Sequence, residues 1–183
     1  WHKNCVAIGL SAGFVEPLES TSISLIETAV GTLLSFFPDR DFRPGLADEF
    51  NRIMLGRYES VRDFIIMHYK LTGRTDTEFW RHCASMAVPD SVMHQVEVFR
   101  QSGRVVVLDR DGFSEPSFVP ILMGLGVAPE SYDPAVDMIE IEHLHKHFVR
   151  VRQAIASTAH AMPDHGEFIA ANLRADPIPG LAV

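Results

Sequence analysis

The sequence predicts a mainly α-helical chain. Apolar residues recur every three or four positions over long stretches, only two short runs are rich in β-branched residues, and Pro and Gly punctuate the segments without any low-complexity linker. With 183 residues, 46% of them hydrophobic, the chain can bury a substantial core.

The elements follow in order. Val6 to Gly9 reads as a strand, short and apolar. Ile23, Ile26, Val30, Leu33, Leu34 and Phe37 carry a helical stripe that Pro38-Asp39 stops, which predicts a first helix over 23–37. The same period runs from Leu46 to Leu71 through Phe50, Ile53, Met54, Tyr58, Val61, Phe64 and Ile65, and predicts an unusually long second helix ending before Gly73. Shorter helices are predicted over 76–84, 89–101 and 116–123, a second strand over 104–108, and a last long helix over 134–161. One or two strands cannot form a sheet, so the pattern suggests a helical piece of a larger fold.

The formal charge of −8 argues against nucleic acid or an anionic membrane surface as partner, since both require a basic patch. No apolar run is long enough to span a bilayer and no secretory leader is visible, which makes the cytoplasm the default compartment. Cys5 and Cys83 stand far apart with no C-x-x-C spacing and read as reduced thiols. The first residue is Trp1 rather than Met, and an apolar run follows at once, so a missing upstream part is expected.

Several motifs bear on chemistry. Gly9-Leu10-Ser11-Ala12-Gly13 is a literal G-x-S-x-G and offers Ser11 as a hydrolase nucleophile, but the helix that should start directly behind that serine is delayed to Ile23 by Pro17 and a polar cluster. Glu140, Glu142, His143, His145 and His147 include pairs at metal-ligand spacing, yet no second Glu-x-x-His completes a di-iron set, and a solvated face with no metal is the simpler reading. Gly124-Leu125-Gly126 lacks a third glycine and a preceding strand. Phe79, Trp80, Phe113 and Phe118 read as core aromatics.

The stretch Gly13 to Ile23, GFVEPLESTSI, is the most informative. Ser20, Thr21 and Ser22 are good N-cap residues and Ser24 with Glu27 has capping-box spacing, so a merely well-capped helix accounts for most of it. The alternative is an anion site at the helix start, where unpaired N–H groups and the dipole favour negative charge, with Glu19 set in front by Pro17 as an acid–base group.

The runs Asn4 to Ile23, Phe36-Phe37-Pro38-Asp39, Phe50-Asn51, Arg62-Asp63-Phe64-Ile65 with His68-Tyr69, Asp76-Thr77-Glu78-Phe79-Trp80 and Gly124 to Pro129 resemble, in order and spacing, the C-terminal half of flavin-dependent halogenases of the tryptophan halogenase type. The resemblance covers nearly the whole chain. It implies a C-terminal fragment of an α/β FAD-binding monooxygenase-like, Rossmann-type fold, with residues 1–22 ending the FAD-binding core and 23–183 forming a helical substrate-side module. In that family reduced FAD and oxygen turn a halide into hypohalous acid, which a lysine and a glutamate help to deliver to an aromatic substrate.

Carried over by motif, the resemblance makes Glu19 and Ser20 the catalytic residues of this piece and gives the halide, chloride or bromide, to the backbone N–H groups of Thr21 and Ser22. Gly13, Phe14, Pro17 and Ile23 would line the flavin, and Phe113 and Phe118 the aromatic substrate. It further implies a flavin reductase as transient partner and allows a homodimer. The family's glycine-rich nucleotide loop and lysine are expected upstream, so this piece alone would be inactive. Ser22 replaces a glycine of some tryptophan enzymes, which a backbone contact tolerates. Ser117-Phe118 stands where many members have Ser-Trp, so the implied substrate is indole-like without being free tryptophan in particular.

Overall fold

The computed structural model describes residues 1–108 and 112–173, and among these it has seven α-helices, six of them where the three- and four-residue apolar spacing predicts helix. The end of the predicted module, 174–183, lies outside the described residues. The helices are α1 (Ser22–Ser35), α2 (Pro44–Lys70), α3 (Glu78–Ser85), α4 (Asp90–Ser102), α5 (Glu115–Gly124), α6 (Ile141–Ala161) and α7 (His165–Asn172). Two 3₁₀ turns, Gly9–Ser11 and Pro134–Met138, complete the set.

Neither predicted strand forms among the described residues. Residues 6–8 and 104–108 are irregular, and the β-type pairing is a single bridge between His2 and Cys5. The physical reason is that β-branched composition expresses only a local preference, whereas a strand needs a neighbour to accept its ladder bonds. The predicted helix over 134–161 is likewise interrupted: its first turn is 3₁₀, and Glu140, in extended backbone (φ −58°, ψ 133°), precedes α6.

Helix α2 organises the unit Trp1–Asp133, using two faces. Phe50, Met54, Val61 and Ile65 face α1 and the first residues of the chain: Phe50 and Met54 pack with Ala29, Trp1, Val6 and Ile8, while Val61 and Ile65 pack with Leu25 and Val15. Phe64 and Met67, on the adjoining stripe, enter the main core with Val92, Val96, Phe99, Phe118, Leu122 and Val127 from α4, α5 and the turn after it. The helix starts with Pro44 in its first turn, where the missing N–H costs nothing. Its last turn carries His68 and Lys70, favourable beside the negative end of the dipole, and Lys70 Nζ donates to the carbonyls of Ala84 and Met86 at 2.8 Å each. That ties the end of α2 to the end of α3.

The segment from Pro134 forms a second unit, in which no described residue of α6 or α7 is buried. Helix α7 has no counterpart in the sequence reading. It is eight residues long and begins where Asp164 accepts from the N–H groups of Gly166 and Glu167, at 2.8 and 3.2 Å. No helix among the described residues is long and apolar enough to cross a membrane.

Candidate functional site

The residues from Gly13 to Ser22 fold as a turn in front of α1, held against the last turn of α2. Ser20 N–H donates to the Pro17 carbonyl at 3.0 Å, closing the turn around Leu18 and Glu19. Ser20 itself adopts φ 51°, in the left-handed region where a residue with a Cβ is strained by about 1–2 kcal/mol. The helix then starts at Ser22 with Thr21 as N-cap residue, and its first internal bond runs from Leu25 N–H to the Thr21 carbonyl at 2.9 Å.

The expected cap is absent. Thr21 is in helical backbone (φ −74°, ψ −10°) and its side chain does not cap the first turn, whose N–H groups from Ser22 onward have no intrahelical acceptor. The well-capped reading of the sequence therefore fails, and the positive end of the α1 dipole stays open beside Glu19. Thr21 is 9% exposed and lines a cavity of about 200 Å³ with Ser24, Thr28, Arg57 and Phe113.

Glu19 meets His68, a residue the sequence offered only as part of a matching run. Its Oε1 lies 3.1 Å from His68 Nε2, in a pocket where the two side chains are 31% and 15% exposed. The carboxylate sits off the axis of the ring N–H, so the contact is an ionic one rather than an aligned hydrogen bond, and Nε2 has no other partner. On the far side of the ring, Nδ1 is 2.8 Å from the Phe64 carbonyl, which can only accept; Nδ1 therefore carries a proton. Nε2 is thus the ring nitrogen turned toward the Glu19 carboxylate.

Phe64 fixes this histidine twice, through its carbonyl and through its ring, which meets the imidazole edge-on at 4.9 Å. Phe113 stacks on the other side of Phe64 at 3.9 Å between centroids, and Phe118 meets it edge-on at 4.8 Å. Thus Phe113 reaches the cavity beside Thr21, whereas Phe118 is 5% exposed and lines a different cavity of about 140 Å³ between α2 and α4. Of the other aromatics read as core, Phe79 is 56% exposed, and Trp80 lies under the Arg74 guanidinium at 4.4 Å.

Glu16, the other carboxylate of the stretch, uses both oxygens: Oε1 accepts from Leu18 N–H at 3.2 Å and Oε2 from the Tyr69 hydroxyl at 3.0 Å. The bond to Glu16 pushes the Tyr69 phenol above its ordinary range, and burial adds to the effect. His68 and Tyr69 could have been found only by asking what lies in the last turn of α2; nothing in their spacing ties them to residues about fifty positions earlier.

Ser11 ends a single 3₁₀ turn and its hydroxyl donates to the Ile8 carbonyl at 2.8 Å, so it is neither at a strand-to-helix elbow nor paired with a base. A fluorophosphonate probe is expected to leave Ser11 unlabelled in the folded protein, as read by intact mass; stoichiometric labelling would restore the hydrolase reading. In α6, Glu142 pairs with Lys146 at 2.8 Å, and among the described residues no three acidic, histidine or cysteine side chains converge.

Comparison with known proteins gives the same direction throughout. The family model of tryptophan halogenase matches residues 1–140. The tryptophan 6-halogenase of Streptomyces toxytricini is 33% identical over 174 residues, covering 93% of this chain and 33% of its own length. The 7-chloro-L-tryptophan 6-halogenase of Kutzneria sp. (strain 744) is 32% identical over 173 residues, with shares of 93% and 34%. Among solved structures, the flavin-dependent halogenase from Brevundimonas sp. BAL3 superposes with a TM-score of 0.87 at 45% identity, over 93% of this chain and 35% of that one. The flavin-dependent halogenase from Xanthomonas campestris gives 0.89 at 41% identity, over 98% and 36%. The chain spans about a third of the length of the relatives it matches.

Proposed function

The chain belongs to the tryptophan halogenase family, and on that premise we propose that it forms the halide and substrate side of a longer flavin-dependent halogenase acting on an indole-like aromatic. Residues 1–22 would complete the flavin-binding core and 23–183 the helical module. The observation that carries the reading is the contact of Glu19 with His68, 3.1 Å apart, directly in front of a helix start that the Thr21 side chain does not cap.

The residues present fit a flat cofactor. Phe14 and Ile23 are 58% and 77% exposed, and Gly13 sits close against Tyr58, whose ring a Cβ would meet tightly at 3.3 Å. Gly13, Phe14, Pro17 and Ile23 would hold FAD on this side, and reduced FAD with oxygen, supplied with electrons by a flavin reductase, would convert chloride or bromide to hypohalous acid. The N–H groups of Thr21 and Ser22 hold the halide, and Ser20 stands between the flavin side and the substrate side. Phe113 offers its ring to the aromatic substrate, with Phe118 behind it.

Substitution of a ring hydrogen by an electrophilic halogen releases one proton, and departure of the hypohalous oxygen as water takes one up. Glu19, with His68 beside it, would give a proton to that oxygen and receive the ring proton, so the pair ends as it began. Full-length protein with FAD, a flavin reductase, NADH, bromide and indole is expected to yield bromoindole by mass spectrometry. Flavin-loaded protein that halogenates no indole with either halide would remove the reading.

A further inference from the structure

We infer that Tyr69 is a positioning residue for the reaction proposed above, acting through Glu16 to set where Glu19 points; the inference rests on that reading. The two carboxylates of the turn have separate employments. Glu16 spends both oxygens inside the protein, on Leu18 N–H at 3.2 Å and on the Tyr69 hydroxyl at 3.0 Å. Glu19, three residues later, makes its charge contact with His68, the residue next to Tyr69. One turn of α2 therefore grips the loop at two points, and the stretch between them contains Pro17 and leads into the left-handed Ser20.

The geometry explains why both grips are needed. The contact of Glu19 with His68 is off the ring N–H axis, so it cannot by itself orient the carboxylate. The Pro17–Ser20 turn is closed by one backbone bond, and the strain at Ser20 favours its opening. Glu16 crosses from the loop to α2 just ahead of that turn, and it bonds the N–H of Leu18, the residue immediately before Glu19. Removing the phenol hydroxyl leaves one Glu16 oxygen without its α2 partner and frees the turn to pivot about Pro17.

The test uses the full-length enzyme, with Tyr69→Phe, Glu19→Gln and the double variant assayed for halogenation alongside the wild type. Tyr69→Phe is expected to lower kcat by about tenfold or more, as displacement of a catalytic group does, while KM for the aromatic and the melting temperature stay close to wild type. In the Glu19→Gln background the same change should cost nothing further, because a residue that acts through Glu19 has nothing left to position. Glu16→Gln, which offers one carbonyl oxygen where the carboxylate offered two, should reproduce the loss. An unchanged kcat in folded Tyr69→Phe, or losses that multiply in the double variant, would overturn the inference. A wild-type protein that halogenates nothing would instead sink the functional reading on which it stands.

Discussion

Full-length protein carrying Glu19→Gln is expected to lose halogenation by a hundredfold or more, the order of effect of removing a general acid–base group, with FAD affinity and folding retained. The substitution keeps shape and volume but cannot take up a proton. It should also fold normally, because His68 keeps its bond from Nδ1 to the Phe64 carbonyl and the side chain at position 19 remains 31% exposed to water. The loss thus separates chemistry from stability. Turnover of indole together with FAD binding and the melting temperature would check it, and normal turnover in the folded variant would remove Glu19 from the mechanism.

The second large effect concerns Phe64, which is 2% exposed and lies at the junction of Phe113, Phe118 and His68. Phe64→Ala is expected to cost about 3–5 kcal/mol of stability, the range for truncating a buried phenylalanine where neighbours cannot collapse inward. Collapse is restricted here because Phe113 stacks at 3.9 Å on one side while the helix backbone fixes the other. Chemical denaturation of the folded protein measures it. A loss below about 1 kcal/mol would mean that the site relaxes and that the aromatic group is not a packed wall. Phe64→Leu, which refills most of the volume and keeps the carbonyl that orients His68, should retain more of both stability and activity.

How much of this was legible beforehand depends on the range of the interaction. Helix α2 buries most of the stripe that predicts it, and the ends of α1, α2, α4 and α5 fall within a few residues of the sequence reading. In α1, however, the buried residues are Leu25 and Ala29, while Ile23, Ile26, Val30, Leu34 and Phe37 of the predicted stripe stay exposed. Val6 to Gly9 and 104–108 carry strand composition but no strand partner, a condition that composition cannot report. Helix α7 is short and its described residues are all exposed, so it presents no stripe to read. At the site, Glu19, Thr21 and Ser22 stand in one contiguous motif and were accessible. His68 and Tyr69 were not, because their role arises only when the last turn of α2 is folded back against the loop. Absence of the cap was also beyond composition: Ser20, Thr21 and Ser22 all suit an N-cap, and the backbone angles of Ser20 and Thr21 decide otherwise.

Helix α2 touches the irregular first part of the chain at a succession of points along its length. The Asn51 amide donates to the Trp1 carbonyl at 2.9 Å, Tyr58 lies behind Gly13, and His68 and Tyr69 hold Glu19 and Glu16. Asn51, Tyr58 and Tyr69 share one face of one rod, with His68 about 100° around from them, so their alignment is a matter of counting residues. One residue inserted or deleted between Asn51 and Tyr69 turns everything beyond it by about 100° and carries the later anchors off the loop together. The connection from 36 to 43 has no such constraint, because added length there costs only loop-closure entropy. Length variation among natural or engineered versions of this chain should accordingly fall between α1 and α2 and spare α2 itself, even where the side chains on its outer face change freely.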